Sequence, residues 1–312
     1  MKHPLILVGI VGILFLTQVS ASAQSDLRLD LRPELEKAFD AYVSALEARN
    51  TEQLKRSLPA FRYMRMRNEA ISQGKEFPES VFEGTSWYSD LRNDRKNLRH
   101  IKTVLRGNVA YMMFLGTRRF ERKQLPFLTS VLFVKEGGQW KFCETELVNL
   151  DPKDLRVAHA KLAEQAPLEF DAADVLLAGN LPSVPREYPT PDYLATIAIN
   201  AHNCLVTVKY NNETRSLNLA RFPEATSLGL GGPVIGGLKR GQNAISINVE
   251  AWSAEMAKAR KSTQPPHAKV EIVVWAGPNR QPVTVFRFET NTLGEVKKEF
   301  EVTDEIIAKA KQ

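Results

Sequence analysis

Cysteine is scarce: 312 residues hold two, Cys143 and Cys204. A chain this long with so few cysteines is not held together by a disulfide framework. The two fall in different expected domains and read as separate, half-buried thiols. Cys143 lies in mid-strand, where a small apolar side chain simply packs. Histidine is also sparse, and His100, His159, His202 and His267 are scattered. There is no H-E-x-x-H, no C-x-x-C and no G-x-S-x-G, so neither a metal centre nor a serine-hydrolase triad has support, and no cofactor is expected. The glycine-rich LGLGGPVIGG at 228–237 places Val234 where the third glycine of a dinucleotide-binding turn would stand, counting from Gly229. It lacks the Lys and Ser/Thr of a phosphate loop and reads as a flexible turn.

Long apolar runs are missing beyond the first. Lys2 and His3 precede an apolar stretch from Pro4 to Leu16, and Ala21-Ser22-Ala23 follows as an A-x-A site. This is the pattern of a secretory signal peptide over residues 1–23. The run is shorter than the roughly 20 residues a membrane span needs. The expectation is an extracytoplasmic protein, periplasmic or secreted, with no integral membrane segment after cleavage near Ala23. No cysteine stands at the new N-terminus to carry a lipid.

What remains is long enough for two buried cores. Charge divides unevenly, with 22 Lys and Arg against 17 Asp and Glu in residues 24–150 and 19 of each in residues 151–312. The positive excess gathers in LRNDRKNLRHIKTVLR, where Arg92, Arg95, Lys96, Arg99, Lys102 and Arg106 are anion-binding candidates facing only Asp94. Such a surface attracts anionic polymer or lipid headgroups, or it is a solvated face with no partner. Nucleic acid is excluded as a partner by the export signal and by the lack of aromatics interleaved with the basic residues.

In RPELEKAFDAYVSALEARN, Leu35, Phe39, Tyr42, Val43 and Leu46 recur at helical spacing. Thr51 reads as the N-cap of a second short helix, FRYMRMRNEAISQGK as a partly helical stretch, and GTSWYSDLRND as loop. HIKTVLRG, VAYMMFLGTRRF, LTSVLFVKE and QWKFCETEL then form four strand-like runs, punctuated at Gly107-Asn108 and Gly137-Gly138. An antiparallel meander with both faces partly covered follows from apolar residues at both parities.

The helix-to-helix step ALEARNTEQLKRSL and the closing hairpin VLFVKEGGQWKF resemble the nuclear transport factor 2-like, or ketosteroid isomerase-like, cone fold over residues 32–148. The resemblance implies an α+β cone of helices on a curved sheet, enclosing a pocket that some family members use catalytically and others only for binding. No residue matches a catalytic motif of the family closely enough to inherit a role. Pairing of two copies through that sheet is one partnership the resemblance allows.

Strict strand alternation puts Trp140, Phe142, Glu144 and Glu146 on one face and Lys141, Cys143, Thr145 and Leu147 on the other. Two readings of Glu144 follow. It is a general base if an apolar pocket wall raises its pKa, or an ion-pair partner of Arg118 or Arg119 on a neighbouring strand. Asp90 and His100 are the other catalytic candidates, and Tyr42, Trp87, Tyr88, Tyr111 and Trp140 the pocket-lining ones, with core packing the competing role for each aromatic.

Asp151-Pro152 opens a helix through LDPKDLRVAHAKLAEQ that carries His159, and LPSVPREYPTP, with four prolines, reads as a linker, so residues 151–190 separate the halves. Residues 191–312 give seven strand candidates with turn signals, an all-β antiparallel sandwich. GGLKRGQNAISINV is similar to a turn-and-strand of immunoglobulin-like and jelly-roll accessory modules. A sugar site would need exposed aromatics, Trp252 or Trp275, although strand periodicity places Trp275 in the core.

Three functions fit: an exported non-enzymatic binding protein with a β-sandwich for attachment, an isomerase or lyase on a small apolar molecule, or an envelope-binding module using residues 92–123. The export reading is checked by expressing the chain with its leader in a bacterial host. Mass spectrometry of the extracytoplasmic product should show Gln24 as the first residue.

Overall fold

The computed structural model describes residues 31–94, 98–120, 123–149, 181–210, 213–217, 227–252, 265–275 and 282–309. The leader, the expected helix at 151–166 with His159, and Arg95 and Lys96 lie outside these. Arg32–Gln312 form one compact unit.

Five helices open it: α1 Arg32–Glu47, α2 Thr51–Ser57, α3 Ala60–Ser72, α4 Glu79–Phe82 and α5 Thr85–Asp94. α1 buries Leu35, Phe39, Tyr42, Val43 and Leu46, the apolar stripe read from the sequence. The cap of α2 is Asn50, not Thr51; its Oδ1 accepts the Gln53 N–H at 3.0 Å. The stretch expected as loop around Tyr88 is the helix α5, because Leu91 has a buried site there and Arg92 can reach Glu47 of α1.

The first sheet is a meander in the order β1 Arg99–Arg106, β2 Val109–Phe120, β3 Lys123–Glu136 and β4 Gln139–Asn149. Gly137 and Gly138, both at positive φ, make its last turn. That hairpin also serves α3. Pro59 offers no side-chain cap. Instead the Glu136 carboxylate accepts the Ala60 N–H at 3.2 Å and pairs with Lys141 Nζ at 2.6 Å. A carboxylate there complements the positive end of the helix dipole.

Two further four-stranded sheets follow, β11-β10-β5-β8 and β12-β9-β6-β7, all antiparallel. Their strands are β5 Ala195–His202, β6 Cys204–Tyr210, β7 Glu213–Leu217, β8 Ser227–Pro233, β9 Gly241–Ala251, β10 His267–Val274, β11 Val283–Thr290 and β12 Gly294–Val302, with a last helix α6 Asp304–Lys309. Alternate residues Ile197 and Ile199, Val206 and Val208, Ile245 and Ile247, and Val270 and Ile272 fill one core between the sheets. The glycine-rich stretch expected as a flexible turn supplies β8, an edge strand whose backbone pairs with β5. In the phrase LKRGQN, Asn243 holds the turn. Its Oδ1 accepts the Lys239 N–H at 3.1 Å and the Tyr210 hydroxyl at 2.9 Å, and its Nδ2 donates to the Lys239 carbonyl at 2.9 Å.

The expected architecture, an α+β cone followed by a sandwich, is corrected. Among the described residues the structure is mostly antiparallel sheet, three four-stranded sheets with few helices, rather than the expected cone and sandwich. The physical reason lies in the composition of the first sheet. Met112 and Phe114 on one face and Tyr111 and Met113 on the other are all buried, so both faces are packed rather than one being wrapped around a hollow. No helix among the described residues is long and apolar enough to cross a membrane.

The proline-rich segment is docked on α3. Asn68, 2% exposed, donates from Nδ2 to the Arg186 carbonyl at 2.9 Å and accepts the Tyr188 N–H at 3.2 Å. Arg67 adds a bond to the Tyr188 carbonyl at 3.0 Å and an ion pair with Glu187 at 2.6 Å. One turn on, Ser72 Oγ accepts the Gly236 N–H at 2.8 Å. Gly237, at φ +57°, fits because a Cβ would stand 2.2 Å from that of Pro191. Asn68→Ala strands the buried Tyr188 N–H and removes the bond to the Arg186 carbonyl, and should lower unfolding stability by about 2 kcal/mol, measured by urea denaturation.

Candidate functional site

The first sheet has an irregular edge, and it decides where the candidate side chains go. Leu132 pairs with Glu144 and Phe133 with Phe142, so Cys143 is an extra residue, a β-bulge in β4. Strict alternation therefore fails. Phe142 turns to the α1 side, stacked on Tyr42 at 4.1 Å. Cys143 joins the cluster around Phe61 of α3. Glu144, opposite Leu132 of that cluster, leaves the Trp140–Phe142 face.

The α1 side is aromatic packing. Tyr42 also meets Tyr88 edge-on at 5.2 Å, and Phe39 and Phe133 flank Phe142. Burial, then the neighbouring Tyr88, pushes the Tyr42 hydroxyl pKa well up. Trp140 is half-buried under the Lys135 ammonium, 5.7 Å from the ring centre. Trp87 lies in α5.

The α3 side combines apolar wall with polar groups. Val109, Tyr111, Met113, Leu128 and Leu132 pack with Phe61. In the strand pairing, Val104, Tyr111, Leu132 and Glu144 form one row across the sheet, and Lys102, Met113 and Ser130 the next. Tyr111 is 3% exposed and Ser130 fully buried. Neither hydroxyl has a hydrogen-bond partner among the described residues, and the same holds for Nε of Arg62 on α3. Arg62 Nη2 lies 3.7 Å from Glu144 Oε1. Burial disfavours the guanidinium charge, but Glu144 and other groups more than offset it, so its pKa is raised. Glu144 thus stands opposite Arg62 of α3, and β2, the strand of Arg118 and Arg119, is separated from β4 by β3.

The remaining candidates do not converge on this face. Asp90 is exposed on α5. His100 lies edge-on to Phe114 at 5.5 Å with Nε2 3.0 Å from Thr103 Oγ1. Arg92 ties α5 to α1 through Glu47 at 2.5 Å and Ser44 at 3.3 Å. Arg99 and Arg106 are exposed on β1, and burial, then Arg106, lowers the Lys102 pKa. Cys143 and Cys204 are free and buried. Trp275 is 47% exposed, the reverse of its expected place, while Trp252 is 8% exposed.

Arg62 and Ser130 went unnoticed in the sequence. A signal for Ser130 was there: a polar residue inside LTSVLFV, a run apolar at both parities. The thiol on the α3 side is not an activated nucleophile, since burial pushes the Cys143 pKa up to about 12. No group of three or more His, Cys, Asp or Glu among the described residues could hold a metal ion.

A buried hydroxyl without a partner costs stability. Tyr111→Phe and Ser130→Ala should each leave urea stability unchanged or raise it by up to about 1 kcal/mol, whereas Ser72→Ala, which removes a bonded hydroxyl, should lower it by about 1 kcal/mol. Comparison of the chain with family models, curated proteins and solved structures finds no match.

Proposed function

We propose that the chain is an exported, non-enzymatic binding protein whose first sheet takes a small, largely apolar molecule between itself and α3, which has to shift to admit it, with the two facing sheets serving for attachment. The observation that carries this reading is the pair of buried, unpartnered hydroxyls of Tyr111 and Ser130 in an apolar wall. Native proteins pair such groups with protein, water or a bound molecule, and here the described residues supply no partner. An apolar surface with a few placed polar groups is the usual build of a small-molecule site. Binding is favoured over isomerase or lyase chemistry because Asp90 is exposed, Glu144 faces Arg62 and the Cys143 thiol stays protonated.

Isothermal titration with naphthalene and 2-naphthalenemethanol tests the reading, since the probes share a body and differ by one hydroxyl group. The alcohol should bind saturably and about tenfold tighter, the worth of one satisfied hydrogen bond. The preference should vanish in the Tyr111→Phe, Ser130→Ala double variant. Absence of saturable binding of both probes would overturn the proposal.

A further inference from the structure

Trp275 is exposed, yet it is not a loose side chain. Its backbone N–H donates to the Leu194 carbonyl at 3.2 Å, and its indole Nε1–H donates to Thr196 Oγ1 at 3.1 Å. Ile197 and Ile199 of β5 point into the core, so Thr196, Ala198 and Asn200 point away from it. The bond to Thr196 therefore fixes the indole on the outer face of the sheet β11-β10-β5-β8. An aromatic ring held by its polar edge and left 47% exposed offers an apolar surface to whatever lies there.

The ground beside the ring is flat. Thr196, Ala198 and Asn200 pair with Pro233, Gly231 and Gly229 of the edge strand β8. Glycine weakens a strand, and neither Gly229 nor Gly231 is at the positive φ that would call for it. Packing does not call for it either. A Cβ at Gly231 would meet only the Ile197 carbonyl oxygen at 3.9 Å, and one at Gly229 only the end of the Asn200 side chain at 3.0 Å. Both glycines are exposed, so they leave a strip without side chains that something outside the fold can approach closely. From Thr196 to Asn200 the strip runs about 13 Å, from the indole to an exposed carboxamide.

Charge narrows the class of ligand. Lys269 and Glu271 of β10 and Arg287 and Glu289 of β11 share this outer face. They pair among themselves, Lys269 with Glu271 at 2.7 Å and Arg287 with Glu289 at 3.1 Å and with Glu271 at 3.8 Å. Two cations and two anions leave no net charge to draw a charged polymer. An apolar protein face is a poor cover too, because it would strip water from Asn200 and this charged row without replacing it.

We propose that this face binds an uncharged polysaccharide of the flat-ribbon kind, as in cellulose or chitin, with one sugar ring stacked on the Trp275 indole. The following rings lie over Ala198, Gly231 and Gly229 and exchange hydrogen bonds with the Asn200 carboxamide. A sugar ring shows C–H groups on its faces and hydroxyls at its rim, which matches an indole beside a polar side chain. This assignment names what the facing sheets attach to and rests on that reading.

Isothermal titration of the full mature chain with cellohexaose, chitohexaose and maltohexaose tests it. At least one of the first two, which are flat and β-linked, should bind saturably and about tenfold or more tighter than the curled maltohexaose. Trp275→Ala removes an exposed ring and should weaken that binding at least about tenfold. Gly231→Thr should leave urea stability unchanged or higher, because threonine suits a strand and the position has room. It should nevertheless weaken the hexamer at least about tenfold, by raising a side chain in its path. Failure of both flat hexamers to bind, equal affinity for maltohexaose, or binding that survives either substitution would overturn the proposal. So would self-association in sedimentation velocity that Gly231→Thr abolishes, since the strip would then serve a second copy. Co-sedimentation with envelope fragments of the bacterial host separates this proposal from the reading it rests on. A chain that sediments but binds no hexamer keeps attachment and loses the polysaccharide; one that does neither loses both.

Discussion

The carboxamide of Asn68 is the contact through which the helical half and the two facing sheets are fixed to each other. It meets one carbonyl and one N–H of the segment between them, and so takes the place of a neighbouring strand for two residues of irregular backbone. Buried amides are costly unless both ends are used, and here both are. Arg67 and Ser72, on the same helix, extend the contact to Glu187 and Gly236. The proline-rich composition supplies a stiff segment with few N–H groups to satisfy, which suits it to lying on a helix as well as to spacing domains.

α3 is therefore held at both ends by different parts of the chain. Glu136 of the β3–β4 turn caps its start, and the docked segment fixes its last turns. Between these anchors Phe61 and Arg62 are set over the first sheet, and the bulge at Cys143 brings Glu144 to meet Arg62. The polar groups gathered on this side, Arg62, Tyr111, Ser130 and Glu144, therefore come from α3, β2, β3 and β4 rather than from loops.

Much of the local structure was legible in the sequence, because burial writes a period. The α1 stripe and the four runs from His100 to Leu147 are cases where side-chain spacing alone names the element. The cone was not legible as absent. Order and turn chemistry cannot distinguish a curved sheet with a hollow from a meander packed on both sides, whereas Tyr111 and Met112, adjacent and both buried, do. The bulge at Cys143 escaped for a related reason: one inserted residue reverses every later parity while leaving composition unchanged. Asn68 could not be read at all, since its partners lie 118 and 120 residues away and a lone Asn within a helix has the look of a solvated position. The β8 glycines misled because glycine in a run signals a turn, yet an edge strand needs only its backbone to pair.

The capping of α3 by Glu136 has a consequence for the order of assembly. α3 leaves the ribosome early, but its N-terminal partner is 76 residues further on and the Gly236 N–H that meets Ser72 is 164 residues further. Contacts of such long sequence separation are entropically costly to close and form late. α1 and α2 can meet each other early, but α1 completes its packing only on Phe142 of β4, and α3 waits longer still, for Gly236. A protein that crosses a membrane unfolded would tolerate that delay well, since nothing in α3 commits the chain to its final packing before the last sheets are present.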